Sequence, residues 1–415
     1  MATPDDTEVG IVTWPESKLP PEASPVLNAL GNGAPLPQDL AGTVEAALGS
    51  ETGISAKFID LETGESLYEN EAEAFLAPAS SLKVLTASTA LAELGPDYRI
   101  ETSVVSGGSD DSVVLVGAGD ITLSRDGDGF YPGSGSLQDL ADQVLKARDG
   151  KAPKTVVVDD SIYKGATQAA GADPVDYKSY SANMGSIMVD GGRKEAGVYA
   201  PRHDDPVMNA ADEFAALVGA SDVSKGRAST EAETLGTVES ATVYEMTELL
   251  VRISDNTLAD AMAMQVGLHQ KGEMTWDSAI VALNEHMKDL GIDPEGTVIR
   301  DGSGLSAEDS FSAAKFTQLL HLASQDPRQR MVLQTLPVAG LDGTVEDRFD
   351  GLPEAYGVAR AKTGTLDIAN SLTGTVVTED GRLLGFSMIE NHFESRDTSR
   401  ETMDKVVAAV AECGC

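Results

Sequence analysis

Cysteine and basic residues are scarce in this chain, and no long apolar run occurs in it. Its 415 residues include two cysteines, Cys413 and Cys415, both at the extreme C-terminus. They cannot staple a fold. A bridge across one intervening glycine would be strained, and two thiols are too few for a structural zinc site. Residues 413–415 therefore read as a loose tail without a catalytic role. Lys and Arg number 30 against 67 Asp and Glu, a net charge of −37. Such a balance excludes nucleic acid as a partner, because phosphate binding needs clustered cations. It also disfavours anionic membranes. The acids are spread along the chain and read as a solvated surface. No run reaches membrane-spanning length, and the stretch after Met1 lacks the form of a signal peptide. Membrane association is thus expected to be peripheral at most.

What is present is a chain with 41 % hydrophobic residues, too long for one ordinary core and suited to two or more domains. Residues 1–36 are rich in Pro, Glu, Asp and Gly and read as a lead-in. A helix is expected over 38–48, then a hairpin of 54–60 and 66–68. Residues 80–94 form an expected helix that is apolar on most sides, hence buried. Thr86, Ser88 and Thr89 within it can bond back to helix carbonyls. From 100 to about 235, short Val-rich strands alternate with helices and Gly/Asp/Ser loops, the texture of an inserted α/β domain. Helical periodicity returns at Tyr244, breaks at Ser254-Asp-Asn256 and resumes. Strands follow at 358–361, 370–377 and 383–390, then a closing helix over 397–411. The expected division is 37–98 with 240–412 as one domain and 99–239 as the insertion.

Three short motifs fall in order: Ser80-Ser-Leu-Lys83, Ser254-Asp-Asn256 and Lys362-Thr-Gly364. Positions i and i+3 of a helix share a face, so Ser80 and Lys83 project side by side. Burial and the positive helix end both disfavour an ammonium at Lys83. A lysine of lowered pKa can act as base toward a neighbouring hydroxyl. The blander reading is a lysine that snorkels to solvent. Ser254 and Asn256 lie in a break between helices, where their side chains can face a cleft or simply cap a helix. Lys362-Thr-Gly364 with Thr365 reads as the start of an edge strand, or else as a surface turn. Ser161-Ile-Tyr-Lys164 has the same S-x-x-K spacing as the first motif but opens no buried helix, and reads as a decoy.

Joined, the three motifs make a serine acyl-transfer site. Ser80 attacks an amide or lactam carbonyl and Lys83 accepts its proton. Ser254 relays that proton to the leaving amine, and the Asn256 amide orients the substrate backbone. Lys362 adds positive charge that keeps Lys83 neutral and attracts a substrate carboxylate, which Thr363 and Thr365 can hold. Gly364 leaves room for a peptide laid along the strand edge. The N–H groups of Ser80 and Thr365 would form the oxyanion hole. No histidine lies in any motif, so a Ser-His-Asp arrangement is not expected. This chemistry requires neither metal nor organic cofactor.

The trio resembles the signature of penicillin-binding proteins and class A β-lactamases. Further segments, Gly117–Leu123, Val158–Tyr163, Arg300–Ser306 and Leu336–Thr344, resemble the low-molecular-mass class C penicillin-binding proteins, D-alanyl-D-alanine carboxypeptidases/endopeptidases of peptidase family S13. The likeness spans roughly residues 38–412. It implies an α/β (α+β) serine β-lactamase/DD-peptidase-like transpeptidase domain, an antiparallel sheet flanked by helices and split by an inserted α/β domain. Family members often carry two extra domains in the insertion, whereas one compact domain is expected here. The implied partners are peptidoglycan stem peptides and β-lactam antibiotics, and the implied location is extracytoplasmic. The 170 residues between Lys83 and Ser254, and the lack of a Glu-x-x-Leu-Asn segment, favour a peptidase over a β-lactamase or esterase of the same fold. The intact trio argues against a non-catalytic wall-binding protein.

Overall fold

A computed structural model of the protein describes residues 34–51, 53–171 and 180–414. The expected lead-in lies outside the described residues up to residue 33, and so does Cys415. Helix α1 (Leu40–Leu48) starts where the Asp39 carboxylate accepts the Gly42 N–H. Strands β1 (Ser55–Asp60) and β2 (Ser66–Asn70) make the expected hairpin. A 3₁₀ turn over Ala79–Leu82 then leads into α2 (Lys83–Glu93). The helix expected from Ser80 is thus two pieces, a tight turn followed by a regular helix. All of α2 from Lys83 to Leu91 is buried. Of its hydroxyls only Thr89 bonds back within the helix, donating to the Leu85 carbonyl at 2.8 Å; Thr86 donates to the Gly302 carbonyl at 2.6 Å and Ser88 pairs with His286 Nε2 at 3.0 Å. A helix without a charged face is stable here because nothing polar on it lacks a partner.

The stretch from 101 to 239 builds a second sheet. Its elements are β3 (Glu101–Ser106), β4 (Ser112–Val116), β5 (Asp120–Leu123), α3 (Leu137–Ala147), β6 (Thr155–Asp159), β7 (Ile187–Val189), α4 (Pro206–Val218), β8 (Asp222–Lys225) and β9 (Thr234–Glu239). The strand order is β8-β6-β4-β3-β9. Strands β4, β6 and β8 run parallel, while β3 is antiparallel to both β4 and β9. Helices α3 and α4 cover it, giving a separate apolar core around Leu115, Leu140, Val156 and Phe214. A short parallel pair, β5 with β7, stands apart from that sheet.

The remaining elements are α5 (Val243–Arg252), α6 (Asn256–Lys271), α7 (Trp276–Asp289), α8 (Ala313–Gln325), α9 (Met331–Thr335), β10 (Ala359–Thr365), β11 (Ala369–Val377), β12 (Leu383–Asn391) and α10 (Arg396–Ala411). The last three strands join the first hairpin in one antiparallel sheet, β10-β11-β12-β1-β2. On one side α1 and α10 pack through Val44, Val406 and Val407 onto Phe58 and Phe386 of the sheet. On the other, α2, α5, α6, α7 and α8 form the largest core. The α+β fold, an antiparallel sheet flanked by helices, is therefore as expected. Two local expectations are corrected. Lys362-Thr-Gly364 lies in the C-terminal half of edge strand β10 rather than at its start. Cys413 is half-buried against α1, its sulfur 3.7 Å from Thr43 Oγ1, and is not a loose tail.

Candidate active site

Ser80 sits on a turn that is held from three sides. Ala79, before it, has a left-handed φ of 47°, a region costly for a residue with a side chain. Ser371 of β11 donates to the Pro78 carbonyl at 2.6 Å and pairs with Ser81 Oγ at 2.8 Å. Gly304 packs so closely that a Cβ there would strike the Ala79 carbonyl. Ala79 and Ser81 are buried, and only Ser80 between them is half exposed. Residues i and i+3 eclipse in a 3₁₀ turn, which brings Lys83 Nζ to 2.9 Å from Ser80 Oγ.

Lys83 is 0 % exposed, which excludes the snorkelling alternative. Its other two partners are Asn256 Oδ1 at 2.6 Å and the Ser303 carbonyl at 2.6 Å. Both can only accept. The amide of Asn256 is oriented independently, since its Nδ2 donates to the Tyr180 carbonyl at 3.2 Å. Two N–H bonds of the amine are therefore committed, and its third direction faces the one partner that can donate, the Ser80 hydroxyl. Sequence reasoning gave Asn256 to the substrate backbone. In the structure its oxygen belongs to Lys83, and one amide N–H is left over.

The Ser254-Asp-Asn256 corner divides its labour. Asp255 is the cap of α6, accepting the Leu258 N–H at 3.0 Å. Ser254 has φ of 60°, and its Oγ accepts from Lys362 Nζ at 3.0 Å. Lys362 also donates to the Thr363 carbonyl at 2.6 Å. The three motifs, scattered over 285 positions of sequence, thus meet through Ser80, Lys83, Ser254, Asn256 and Lys362.

Burial lowers the Lys83 ammonium to about 8, against the opposing pull of Asp260, Asp301, Asp255 and Asp309. Burial, then the positive charges of Lys83 and Arg348, hold Lys362 well below its ordinary value. Each of the two buried ammonium groups therefore disfavours the charge of the other. Behind Lys83, burial and the neighbouring Asp301 raise the Asp260 carboxyl well above its ordinary value.

Ser80, Ser254, Asn256, Thr363 and Thr365 line one open cleft of about 520 Å³, joined by Tyr180 and Tyr199 from the 101–239 region. Gly364 is not at its wall. A Cβ there would lie 2.8 Å from the Pro78 carbonyl and 2.9 Å from Ala79 Cβ. The glycine lets β10 close on the turn that carries Ser80. The decoy behaves as one: Lys164 pairs at 2.9 Å with Glu273 on the surface.

The family model for the D-Ala-D-Ala carboxypeptidase 3 (S13) family matches residues 40–218 and 216–413. The chain belongs to that family. An S13 relative, carboxypeptidase DacB of Mycolicibacterium smegmatis, is 34 % identical over 97 % of this chain and 90 % of its own length. A carboxypeptidase of Mycobacterium tuberculosis is 32 % identical over 99 % of this chain and 89 % of its own. In fold, penicillin binding protein 4 (dacB) of Haemophilus influenzae superimposes with a TM-score of 0.72 at 17 % identity, covering 89 % of this chain and 98 % of that one. The protein is accordingly an enzyme of the serine D-Ala-D-Ala carboxypeptidase type, as the sequence resemblance implied.

Motif reading missed several groups in this S13 cleft. The Ser303 carbonyl holds Lys83, and its loop is pinned by Asp301, which accepts the N–H groups of Ser303, Gly304 and Ser306 at 2.9, 2.6 and 2.8 Å. Asp-Gly-Ser-Gly was visible in sequence as a family segment, yet nothing in it announces that a backbone carbonyl is the functional atom. Thr344 accepts from Thr363 at 2.8 Å and lines the cleft with Arg348, Arg396 and Arg400. Arg348 forms a buried ion pair with Asp404, at 2.5 and 3.1 Å. Its positive charge acts on Lys362.

Proposed function

We propose that this enzyme releases the terminal D-alanine of peptidoglycan stem peptides through an acyl-enzyme on Ser80. The observation that carries the reading is the directed contact between Lys83 Nζ and Ser80 Oγ, 2.9 Å, with the other two donors of the amine already spent. In the acylating state Lys83 is neutral. Its lone pair takes the Ser80 proton as Oγ bonds to the carbonyl carbon of the penultimate D-alanine. The N–H groups of Ser80 and Thr365, both on the cleft wall, hold the oxyanion, an interaction worth about 10²- to 10³-fold in rate per donor. Collapse breaks the C–N bond, and the proton passes from Lys83 by way of Ser254 to the departing amine. Water then adds to the ester carbonyl by the same route in reverse, regenerating Ser80. The hydroxyls of Thr363 and Thr365 receive the terminal carboxylate.

The same attack on a lactam leaves no departing fragment, so a penicilloyl ester persists on Ser80. Benzylpenicillin is therefore a covalent inhibitor on this reading. Peptidoglycan as substrate implies work outside the cytoplasmic membrane. Among the described residues no helix is long and apolar enough to cross a membrane. We also propose that 99–239 is one inserted domain, which fits its separate core. The test is D-alanine release from a diacyl-D-Ala-D-Ala peptide. Wild type is expected to release it and Ser80→Ala to retain less than about 1 % of that rate. Release at the wild-type rate by the Ala variant would overturn the assignment.

A further inference from the structure

We propose that Arg193, carried by the 101–239 region, is a positioning residue for the Ser254–Asn256 corner, acting through a buried cluster with Asp255 and Tyr131. The proposal rests on the reading of Ser254 and Asn256 given above. Arg193 and Asp255 are each 1 % exposed in their side chains and lie 2.8 Å apart. A second guanidinium N–H donates to Tyr131 Oη at 2.7 Å, and that hydroxyl donates to Asp255 Oδ2 at 3.0 Å. The guanidinium plane is backed by the Phe130 ring, 3.8 Å from its centroid. Its remaining donors go to the Gly197, Asp190 and Val198 carbonyls at 2.9, 3.1 and 3.4 Å, so its position is set by the 101–239 region.

Asp255 faces two ways. One oxygen starts α6 through the Leu258 N–H, and the other is tied to Arg193 and Tyr131. The residues on either side are the two that face the cleft. Ser254, before it, has φ of 60°, a conformation that persists in a non-glycine residue only where the surroundings over-determine it. Asn256, after it, holds Lys83 at 2.6 Å. Releasing Asp255 would let both drift. The inserted region grips the corner twice more, through the Tyr180 carbonyl on Asn256 Nδ2 and through the Ala182 N–H on Thr257 Oγ1 at 3.2 Å. A buried ion pair adds little net stability but fixes geometry when every donor and acceptor is matched.

The experiment follows acylation of the full chain by benzylpenicillin with rapid mixing, separating affinity of the non-covalent complex from the acylation rate constant. Arg193→Met is expected to lower the rate constant about 10²-fold, the effect of a displacement near 1 Å. Non-covalent affinity should move less than about threefold. Arg193→Lys should recover part of the rate, and Tyr131→Phe should lose less than Arg193→Met. An Arg193→Met rate within about twofold of wild type, or a loss confined to affinity, overturns the proposal. If Arg193→Met does not fold, Arg193→Lys and Tyr131→Phe decide, and wild-type rates in both overturn it. A wild-type chain that is not acylated at all refutes the reading of the site instead, so the two failures are distinguishable.

Discussion

Lys83 has three hydrogen-bond partners, and only the Ser80 hydroxyl can return a proton to it. Burial brings the amine to about 8, so at pH 7 roughly a tenth of it is neutral in the free enzyme. The sign of the resulting pH dependence is fixed. Lowering pH through 8 protonates the base and slows acylation; raising it speeds acylation until the amine is fully neutral. The rate constant for benzylpenicillin acylation should therefore rise with an apparent midpoint near 8. A flat profile between pH 6 and 9, roughly, would contradict the assignment of Lys83 as base. At this scale the pairing of Ser80 with Lys83 was readable, because a lysine one turn into an apolar helix has no structural excuse. The partners of Asn256 and Lys362 were not. Which atom of an amide faces a lysine, and which charges act on a buried lysine, depend on neighbours such as Tyr180 and Asp260 that come from remote sequence.

Between elements, the site depends on how closely β10 approaches the Ala79 turn. Gly364 and Gly304 are the two positions where a side chain would push the pieces apart, one against Pro78 and Ala79, the other against the Ala79 carbonyl. Gly364→Ala is expected to destabilise the protein by about 1–3 kcal/mol, the usual cost of overpacking. It should also slow acylation at least about tenfold, since Ser80 moves with the turn. Denaturant unfolding and acylation kinetics on the same variant check both, and an unperturbed rate would show that β10 does not set the position of Ser80. Periodicity revealed most elements, including the closing helix α10 to within one residue of its observed limits, because their apolar faces repeat. The turn ahead of α2 was not legible, since a 3₁₀ segment and an α-helix share the i, i+3 pattern. Nor were β5 and β7, whose few residues pair only with each other and carry too little pattern to declare a strand.

Across the whole molecule, a charge of −37 opposes compaction by self-repulsion, and salt screens it. The thermal unfolding midpoint at neutral pH should rise by a few degrees between about 10 and 200 mM NaCl. A midpoint that falls with salt would mean that paired charges outweigh the net field. The antiparallel sheet flanked by helices and the second sheet over 101–239 were legible at this scale, because the motif order and the Val-rich 101–239 texture are separable in sequence. What sequence could not convey is that the 101–239 region reaches the Ser254–Asn256 corner through Tyr180 and Arg193. The central claim is the activation of Ser80 by Lys83. Its most direct test is peptide mapping of the protein after exposure to benzylpenicillin. A single penicilloyl adduct on Ser80, abolished in Ser80→Ala, is the predicted result; an adduct on another residue such as Ser161, or none, would contradict it.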